Sequence, residues 1–404
     1  MKTDYDVIIV GGGPAGSTCA IYLSKYGYDV LLVDKTKFPR DKACGDGISG
    51  KSQSILKELG LFDGLAKIEH KKCDGAIFYS PDGIKIELNR SVGFTSKRAV
   101  YDNFLFESAR KFATALEGFN ITGLIFENNQ VVGIKGMDAD TKQEMTFKAK
   151  VVVGADGANS VVANKNGLNK FESKHRASAL RIYYKNVKDL STKFEVFFFD
   201  TMMPGYFWIF PLENNMANVG SGMLVSEMQK RKISLQDMTL KEIQNNPILA
   251  ERFKDAELVE GSIKGWNLPF GSFHRKLYGN GFVLLGDAGS LIDPFTGEGI
   301  GNAMYSAKVA AQVIDEAIKA NDYSERILKK YDKLLWKEIG KELKTSYMLQ
   351  VIGTALLKFK WLRRFLFKKA AKKQSLINAV SAAFLYGDDA KKPSPWTLLK
   401  DLIF

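Results

Sequence analysis

The sequence predicts an α/β fold built on a parallel sheet, with a second strand-rich lobe and a helical C-terminal region. Three observations carry that prediction. The chain opens as strand, glycine turn and helix. Two later apolar strands end in Asp-Gly and Gly-Asp pairs, the positions where open α/β sheets meet their ligands. Beyond residue 301 strand character disappears and basic residues gather.

The opening segment sets the pattern. Asp6-Val7-Ile8-Ile9-Val10 is an apolar, β-branched run of the kind buried in parallel sheets. Gly11-Gly12-Gly13-Pro14-Ala15-Gly16 fits G-x-G-x-x-G, Ser17 to Tyr26 reads as a helix, and Val30-Leu31-Leu32-Val33 is a second strand ending at Asp34-Lys35. Gly11 permits the tight turn, Gly13 lets a pyrophosphate approach the backbone, and Gly16 lets the helix pack on the strand. The unpaired N–H groups at the helix start that follows Pro14, with the helix dipole, favour phosphate, and Asp34 suits ribose hydroxyls. This is a dinucleotide site, and the motif alone leaves FAD and NAD equally open.

Val151-Val152-Val153-Gly154-Ala155-Asp156-Gly157 is a second such strand. Gly281 to Ala288 is a third, delivering Asp287 at its carboxyl end. Asp293-Pro294-Phe295-Thr296-Gly297-Glu298-Gly299-Ile300-Gly301 then leads into a long helix beginning near Asn302. No second G-x-G-x-x-G follows a strand, so a permanent second nucleotide domain is not expected. Strand-like runs fill 176–222 and 257–270, with Ala76 to Tyr79 and Ile84 to Leu88 joining them in a mixed or antiparallel sheet. The resulting organisation is 1–65, 96–170 and 275–320 as a discontinuous nucleotide domain, 66–95 and 171–274 as the inserted sheet lobe, and 321–404 as a helical basic region.

Tyr206, Trp208 and Phe210 alternate on one strand and so share a face. They form either an apolar wall, which could also favour developing positive charge, or a core stripe behind the sheet. Pro211 follows, and after eight more residues come Gly220 and Gly222.

Composition bounds the rest. With 404 residues, 45% hydrophobic and 25% charged, the chain is an ordinary folded protein of two or three lobes. Three cysteines (Cys19, Cys44, Cys73) make no disulfide framework, and three scattered histidines make a metal site unexpected. No apolar run of about 18 residues suggests a spanning helix, and the start reads as a strand rather than a signal peptide. The expected location is cytoplasmic or peripheral at a membrane. Lys and Arg number 58 against 45 Asp and Glu, a net +13, of which the stretch 358–373 (KFKWLRRFLFKKAAKK) supplies +8. On a helix Phe359, Leu362, Leu366 and Ala370 would line one face, flanked by Trp361 and Phe365. The two readings are an interfacial helix drawn to anionic lipid and a packed helix with a solvated basic face. Nucleic acid is not expected, since no binding motif accompanies the charge.

The N-terminal fingerprint, the mid-chain Asp-Gly and the late Gly-Asp resemble, in order and spacing, the flavoprotein monooxygenase and geranylgeranyl reductase superfamily. Tyr206-x-Trp208-x-Phe210-Pro211 with Gly220-x-Gly222, and the Cys44-Gly45-Asp46-Gly47 element, are similar to the geranylgeranyl reductase family within it. The resemblance covers about residues 4–310. It implies a Rossmann-type FAD domain of the p-hydroxybenzoate hydroxylase kind. It further implies Asp287 at the ribityl chain, Gly299 and Ile300 beside the flavin ring, Arg98 near the ring and ribityl region, Ile121 at the adenine, Cys44 near flavin and substrate as a backbone contact to FAD, and Gly45 as a cofactor contact. For Arg98 and Asp287 the plain alternative is a surface salt bridge, and for the Cys44 thiol a small buried residue.

The implied activity is hydride transfer from reduced flavin to carbon–carbon double bonds of a geranylgeranyl or other isoprenoid chain on a lipid, quinone or chlorophyll-type precursor. Electrons would come from NAD(P)H or a reduced ferredoxin-type protein. Proton addition is expected to lead, with Cys44, Tyr206 or an ordered water as candidate acids. The alternative is a flavin-dependent monooxygenase or halogenase acting on a hydrophobic substrate. Halogenases carry W-x-W-x-I-P, from which Tyr206 and Phe210 depart.

Overall fold

The computed structural model describes residues 2–89, 93–170 and 172–373. Its first sheet is centred on the opening strand Asp4–Val10, which pairs in parallel with Val30–Val33 on one side and Glu144–Gly154 on the other. Thr114–Leu116 and Phe282–Leu284 extend the two flanks, also in parallel. Register is set by the apolar runs: Ile9 lies opposite both Leu32 and Val153, and all three are fully buried. Continuous apolar strands require cover on both faces. The helices Pro14–Lys25, Arg98–Arg110, Ile300–Lys319 and Glu325–Glu338 cover one. The antiparallel pair Phe119–Glu127 and Gln130–Asp138, with the short helix Val161–Lys165, covers the other. The long helix starts at Ile300, two residues before the predicted start, and ends at Lys319.

The second sheet runs Glu257–Leu258, Arg176–Lys185, Met216–Leu224, Tyr206–Pro211, Phe194–Phe197, Ala76–Tyr79, Lys85–Leu88. Lys264–Pro269 also pairs with Arg176–Lys185, and every pairing is antiparallel except Phe194–Phe197 with Ala76–Tyr79. One face buries Phe197, Phe207, Ile209 and Val219 against the helices Leu235–Asn245 and Pro247–Phe253. These helices are an addition to the expected sheet lobe: residues 225–253, between its strand runs, form helices that cover the apolar face of the sheet. The stretch 66–95 divides between two sheets. Ala76–Tyr79 and Lys85–Leu88 join the second, whereas Lys71–Cys73 and Gly93–Thr95 form a small third sheet with Gly47–Ser49.

After Glu325–Glu338 come the helices Gly340–Leu356 and Lys360–Lys372. Of the predicted apolar face of the last helix only Ala370 is buried, Leu362 and Leu366 are half-buried and Phe359 is exposed. The helix lies on the second sheet through Phe367, Ala370 and Ala371, with Arg363 buried and ion-paired to Asp200. Phe359, Trp361 and Phe365 stay exposed, at 58%, 73% and 50%. The stripe is used only in part because the helix meets the Asp200 carboxylate, in the turn after Phe194–Phe197, so a basic residue takes an inward position. The 374–404 part of the predicted C-terminal region lies outside the described residues.

Phe207 anchors the second sheet: it is fully buried, with the Phe197 and Phe199 rings at 6.0 and 5.8 Å. Phe207→Ala is expected to lower stability by about 3–5 kcal/mol in chemical denaturation. A loss below about 1 kcal/mol would mean that this core collapses freely around the void.

Candidate functional site

The parallel sheet ends where the second sheet begins, and between them lies one cavity of about 820 Å³. Gly11, Gly13, Pro14 and Ala15 line it at one end, and Phe78, Phe194 and Phe198 at the other.

At the first end the backbone approaches closely. Gly11 has φ +104°, and a Cβ there would stand 2.3 Å from the Ala155 carbonyl oxygen. A Cβ on Gly16 would stand 1.8 Å from the Gly11 carbonyl oxygen, so this glycine packs helix against turn and does not line the cavity. The helix Pro14–Lys25 has no side-chain cap and no acid in its first turn, which leaves its N–H groups for an anion. Asp34 accepts hydrogen bonds from the Gly12 N–H at 2.8 Å and from the Thr36 N–H and hydroxyl at 2.9 and 2.6 Å, so it holds the glycine turn as well as facing the cavity. Lys35 and Ile121 also line it.

The middle is charged. Arg98 is 3% exposed and donates to Asp102 through Nε and Nη2 at 2.7 and 2.8 Å. Arg40 reaches the same carboxylate at 3.0 Å. Burial opposes the Arg98 charge, but Asp102 and the neighbouring Cys44 thiol hold its proton more firmly than usual. Burial likewise works against the Asp102 carboxylate, yet the Arg98, Arg40 and Lys42 charges bring its pKa below the ordinary range. Lys42 pairs with Asp287 at 3.2 Å. Arg98 and Asp287 therefore do form ion pairs, but at the wall of the cavity and not on the outer surface.

Behind Cys44 and Gly45 lies a buried acid. Asp46, at φ 61°, accepts hydrogen bonds from the Tyr183 hydroxyl at 2.7 Å, the Asn218 amide at 2.8 Å and the Arg98 N–H at 3.2 Å. Asn218 also donates to the Cys44 carbonyl at 2.7 Å and accepts the Trp208 indole N–H at 2.8 Å. Burial pushes Asp46 up to about 6, against the pull of Tyr183, Asn218, Arg181 and Arg98.

The far end is aromatic. Tyr206, Trp208 and Phe210 line the cavity while Phe207 and Ile209 point into the core, so the alternating triplet is a wall and not a core stripe. Its ring centroids are spaced 6.0 and 6.1 Å apart. The Tyr206 hydroxyl donates to the Thr296 carbonyl at 3.0 Å, and burial raises its pKa to about 12. Gly222 lines the cavity, but Gly220 and Pro211 do not. A Cβ on Gly220 would stand 2.3 Å from the Trp208 ring, so this glycine seats the indole from behind. The Pro211 carbonyl accepts from the buried Thr95 hydroxyl, outside the cavity. Gly299 and Ile300 line the cavity at the start of the long helix.

These features fit FAD. The glycine turn gives room for a pyrophosphate and the helix start favours it. Arg40, Lys42 and Lys35 supply positive charge around it. Asp156, of the mid-chain Asp-Gly, has a buried Oδ1 with no hydrogen-bond partner among the described residues. Its other oxygen accepts the Val161 N–H at 2.6 Å. Among the described residues no cluster of His, Cys, Asp or Glu has metal-binding geometry.

The sequence reading passed over Arg40, Lys42, Asp46, Asp102 and Asn218 as functional positions. Asp102 had a signal, its i+4 spacing from Arg98 on one helix. Asn218 had none, because only strand pairing brings it to Cys44.

A model of the FAD binding domain family matches residues 4–334. The chain is 35% identical to the digeranylgeranylglycerophospholipid reductase of Methanocella arvoryzae, over 88% of both chains. It is 34% identical to that of Thermoplasma acidophilum, over 83% of this chain and 84% of the relative. Among solved structures it resembles a geranylgeranyl bacteriochlorophyll reductase-like protein from Thermoplasma acidophilum, with a TM-score of 0.78 and 28% identity over 99% of this chain and 96% of that one. A flavin-dependent brominase shares the fold at a TM-score of 0.74 and 22% identity, over 99% and 98% of the two chains.

Because Asp46 holds its proton more tightly folded than unfolded, its contribution to stability is greatest below pH about 4 and is lost as pH rises through about 6. The melting temperature of Asp46→Asn relative to wild type should therefore shift in favour of the variant between pH about 4 and about 7. A difference that does not change with pH would place the titration elsewhere.

Proposed function

This chain belongs to the geranylgeranyl reductase family of FAD-dependent oxidoreductases, and from that premise we propose that it saturates the geranylgeranyl chains of a glycerophospholipid of the digeranylgeranyl type. The observation that carries the reading is the continuity of the cavity, from a glycine turn and cationic rim that suit a dinucleotide to an apolar aromatic wall that suits a hydrocarbon. The fold shared with a brominase carries no chemistry, and the Tyr206-x-Trp208-x-Phe210 wall supports the reductase reading.

Bound and reduced, FAD supplies hydride to one alkene carbon. The protein's own work is the remainder. Gly11, Gly13 and the helix start at Pro14-Ala15 would receive the pyrophosphate, Asp34 the adenosine ribose, Ile121 the adenine, and Asp287 the ribityl chain. Arg98, fixed by Asp102, would put a permanent positive charge beside the ring, next to Cys44 and Gly45 and across from Gly299 and Ile300. Cys44 is a positioning thiol in this reading. Tyr206, Trp208 and Phe210 would exclude water and turn ring faces toward the alkene, so that cationic character at its tertiary carbon is favoured. The electron donor is a transient partner, a nicotinamide or a ferredoxin-type protein, because among the described residues the first sheet carries a single glycine fingerprint.

The same reading brings the protein to a bilayer surface. Gln350, Gly353, Thr354 and Leu357 border the cavity, and the chain then runs directly into the exposed Phe359, Trp361 and Phe365 among Lys358, Lys360, Arg364 and Lys368. Exposed aromatics amid a run of positive charge, in which Lys360 is paired with Asp200, suit an anionic lipid surface. No helix among the described residues is long and apolar enough to cross a membrane.

Anaerobic incubation of the reduced enzyme with a digeranylgeranyl glycerophospholipid should reoxidise the flavin and add two mass units per bond. Reoxidation with no mass gain on any prenyl lipid would defeat the reading. Trp361→Ser with Phe365→Ser should reduce sedimentation with phosphatidylglycerol vesicles several-fold and leave flavin content unchanged. Undiminished sedimentation would make the exposed rings ordinary surface.

A further inference from the structure

Gly353 sits inside the helix Gly340–Leu356, where glycine weakens a helix relative to alanine. Neither usual reason for a glycine applies. Its φ lies outside the left-handed region, unlike Gly60 and Gly167, which turn the chain at φ +73° and +69°. It is not pressed by a neighbour either. A Cβ there would meet no heavy atom within 4 Å beyond its chain neighbours and the backbone of its own helix. What such a Cβ would enter is open space.

That space is the cavity. Gln350, Gly353, Thr354 and Leu357 follow the spacing i, i+3, i+4, i+7 and all line it, so they share one face of the helix. Earlier on the same face Ser346 donates to Asp293 at 2.6 Å and Gln350 to the Pro294 carbonyl at 2.7 Å. The turn they hold, 293–297, carries the Thr296 carbonyl that accepts the Tyr206 hydroxyl. Gly353 thus lies one helical turn beyond the segment that anchors the aromatic wall. The opposite face, with Met348, Val351 and Ala355, is exposed and apolar, and residues 345–357 include no charged side chain. This outer surface leads into the exposed Phe359, Trp361 and Phe365. A helix that is apolar all round calls for apolar surroundings on both sides.

We propose that Gly353 is the sill over which a prenyl chain passes between the bilayer and the aromatic wall, and that its missing side chain sets the bulk this path admits. Gly353 is then a specificity-determining residue of the reductase, and the proposal rests on the reductase reading above. The ligand at this point is a flexible hydrocarbon. The Gln350 amide beside it is committed to Pro294, and a glycine offers a polar ligand no side chain to hold. An apolar chain needs only room and apolar neighbours, which Leu357 and the exposed face supply. The helix gives up stability at this position, and in return the cavity wall stays thin where it meets the lipid-facing surface.

The test compares wild type, Gly353→Cys and Gly353→Trp as FAD-loaded proteins. The Gly353→Cys thiol is labelled with N-ethylmaleimide and followed by mass spectrometry on its own peptide, apart from Cys19, Cys44 and Cys73. Saturating geranylgeraniol should slow that labelling by about tenfold or more, because a chain lying over the position covers the thiol. With a digeranylgeranyl glycerophospholipid in phosphatidylglycerol vesicles, Gly353→Trp should lose about tenfold or more in kcat/KM. Its FAD content and its sedimentation with the vesicles should match wild type, which separates a blocked path from a lost cofactor or a lost membrane contact. If Gly353→Trp loses its FAD, the labelling of Gly353→Cys decides alone. Labelling that geranylgeraniol does not slow, or a Gly353→Trp kcat/KM within about twofold of wild type, overturns the proposal. Failure of wild type to reduce any prenyl lipid overturns the reductase reading instead, and protection of the Gly353→Cys thiol still reports whether a prenyl chain lies at this position.

Discussion

A single buried carboxylate ties the two halves of the molecule together. Asp46 takes a hydrogen bond from Tyr183 and another from Asn218, on adjacent strands of the second sheet, and a third from the backbone of Arg98, which starts a helix of the nucleotide domain. The residues just before it, Cys44 and Gly45, are thereby held at the boundary between the domains. A Cβ on Gly45 would stand 3.2 Å from the Phe210 ring, so the loop lies directly against the aromatic wall. The same Asn218 fixes the Trp208 indole. Wall, loop and arginine share one network, and a network of buried polar groups is rigid only when each member is satisfied.

The cavity is divided by its electrostatics. Toward the glycine turn, Arg40, Lys42 and Arg98 supply positive charge, and the buried Asp102 balances only part of it. Toward the second sheet the lining changes to Phe78, Phe194, Phe198 and the aromatic triplet. An anionic dinucleotide and a hydrocarbon chain each find one end suited to them, and their reactive parts would meet where the lining changes, at Cys44, Tyr206 and Gly299. Cation–π contacts of this kind contribute about 0.5–2 kcal/mol each, more in a dry site, which is enough to favour an electron-deficient carbon without fixing a single chain length.

Much of the nucleotide half was legible because its signals are local. Gly11 and Gly16 have positions that tolerate no Cβ, and Asp34 lies at a fixed distance along the chain. The alternation Tyr206, Trp208, Phe210 placed three rings on one face, but whether that face was core or cavity depended on what packs behind Phe207, which is tertiary information. Gly220 and Pro211 belonged to the same motif yet support the wall from behind, since a motif records which residues are needed and not which of them touch a ligand. Asp46, Asn218 and Asp102 were illegible as a set because strand pairing and a helix start bring them together over more than a hundred residues. The basic helix misled for a related reason. Its inward face is chosen by Asp200 and Phe198 on the sheet it meets, not by its own periodicity.

The central claim is that one cavity brings a flavin ring and a prenyl chain together at the boundary loop. The most direct measurement is a crystal structure of the FAD-loaded protein with a geranylgeranyl lipid. The account predicts the pyrophosphate at Gly11–Ala15, the flavin ring between Cys44-Gly45 and Gly299-Ile300, and the prenyl chain along Trp208 and Phe210 with an alkene over the ring. A prenyl chain bound elsewhere, with the aromatic wall left in contact with water, would contradict it.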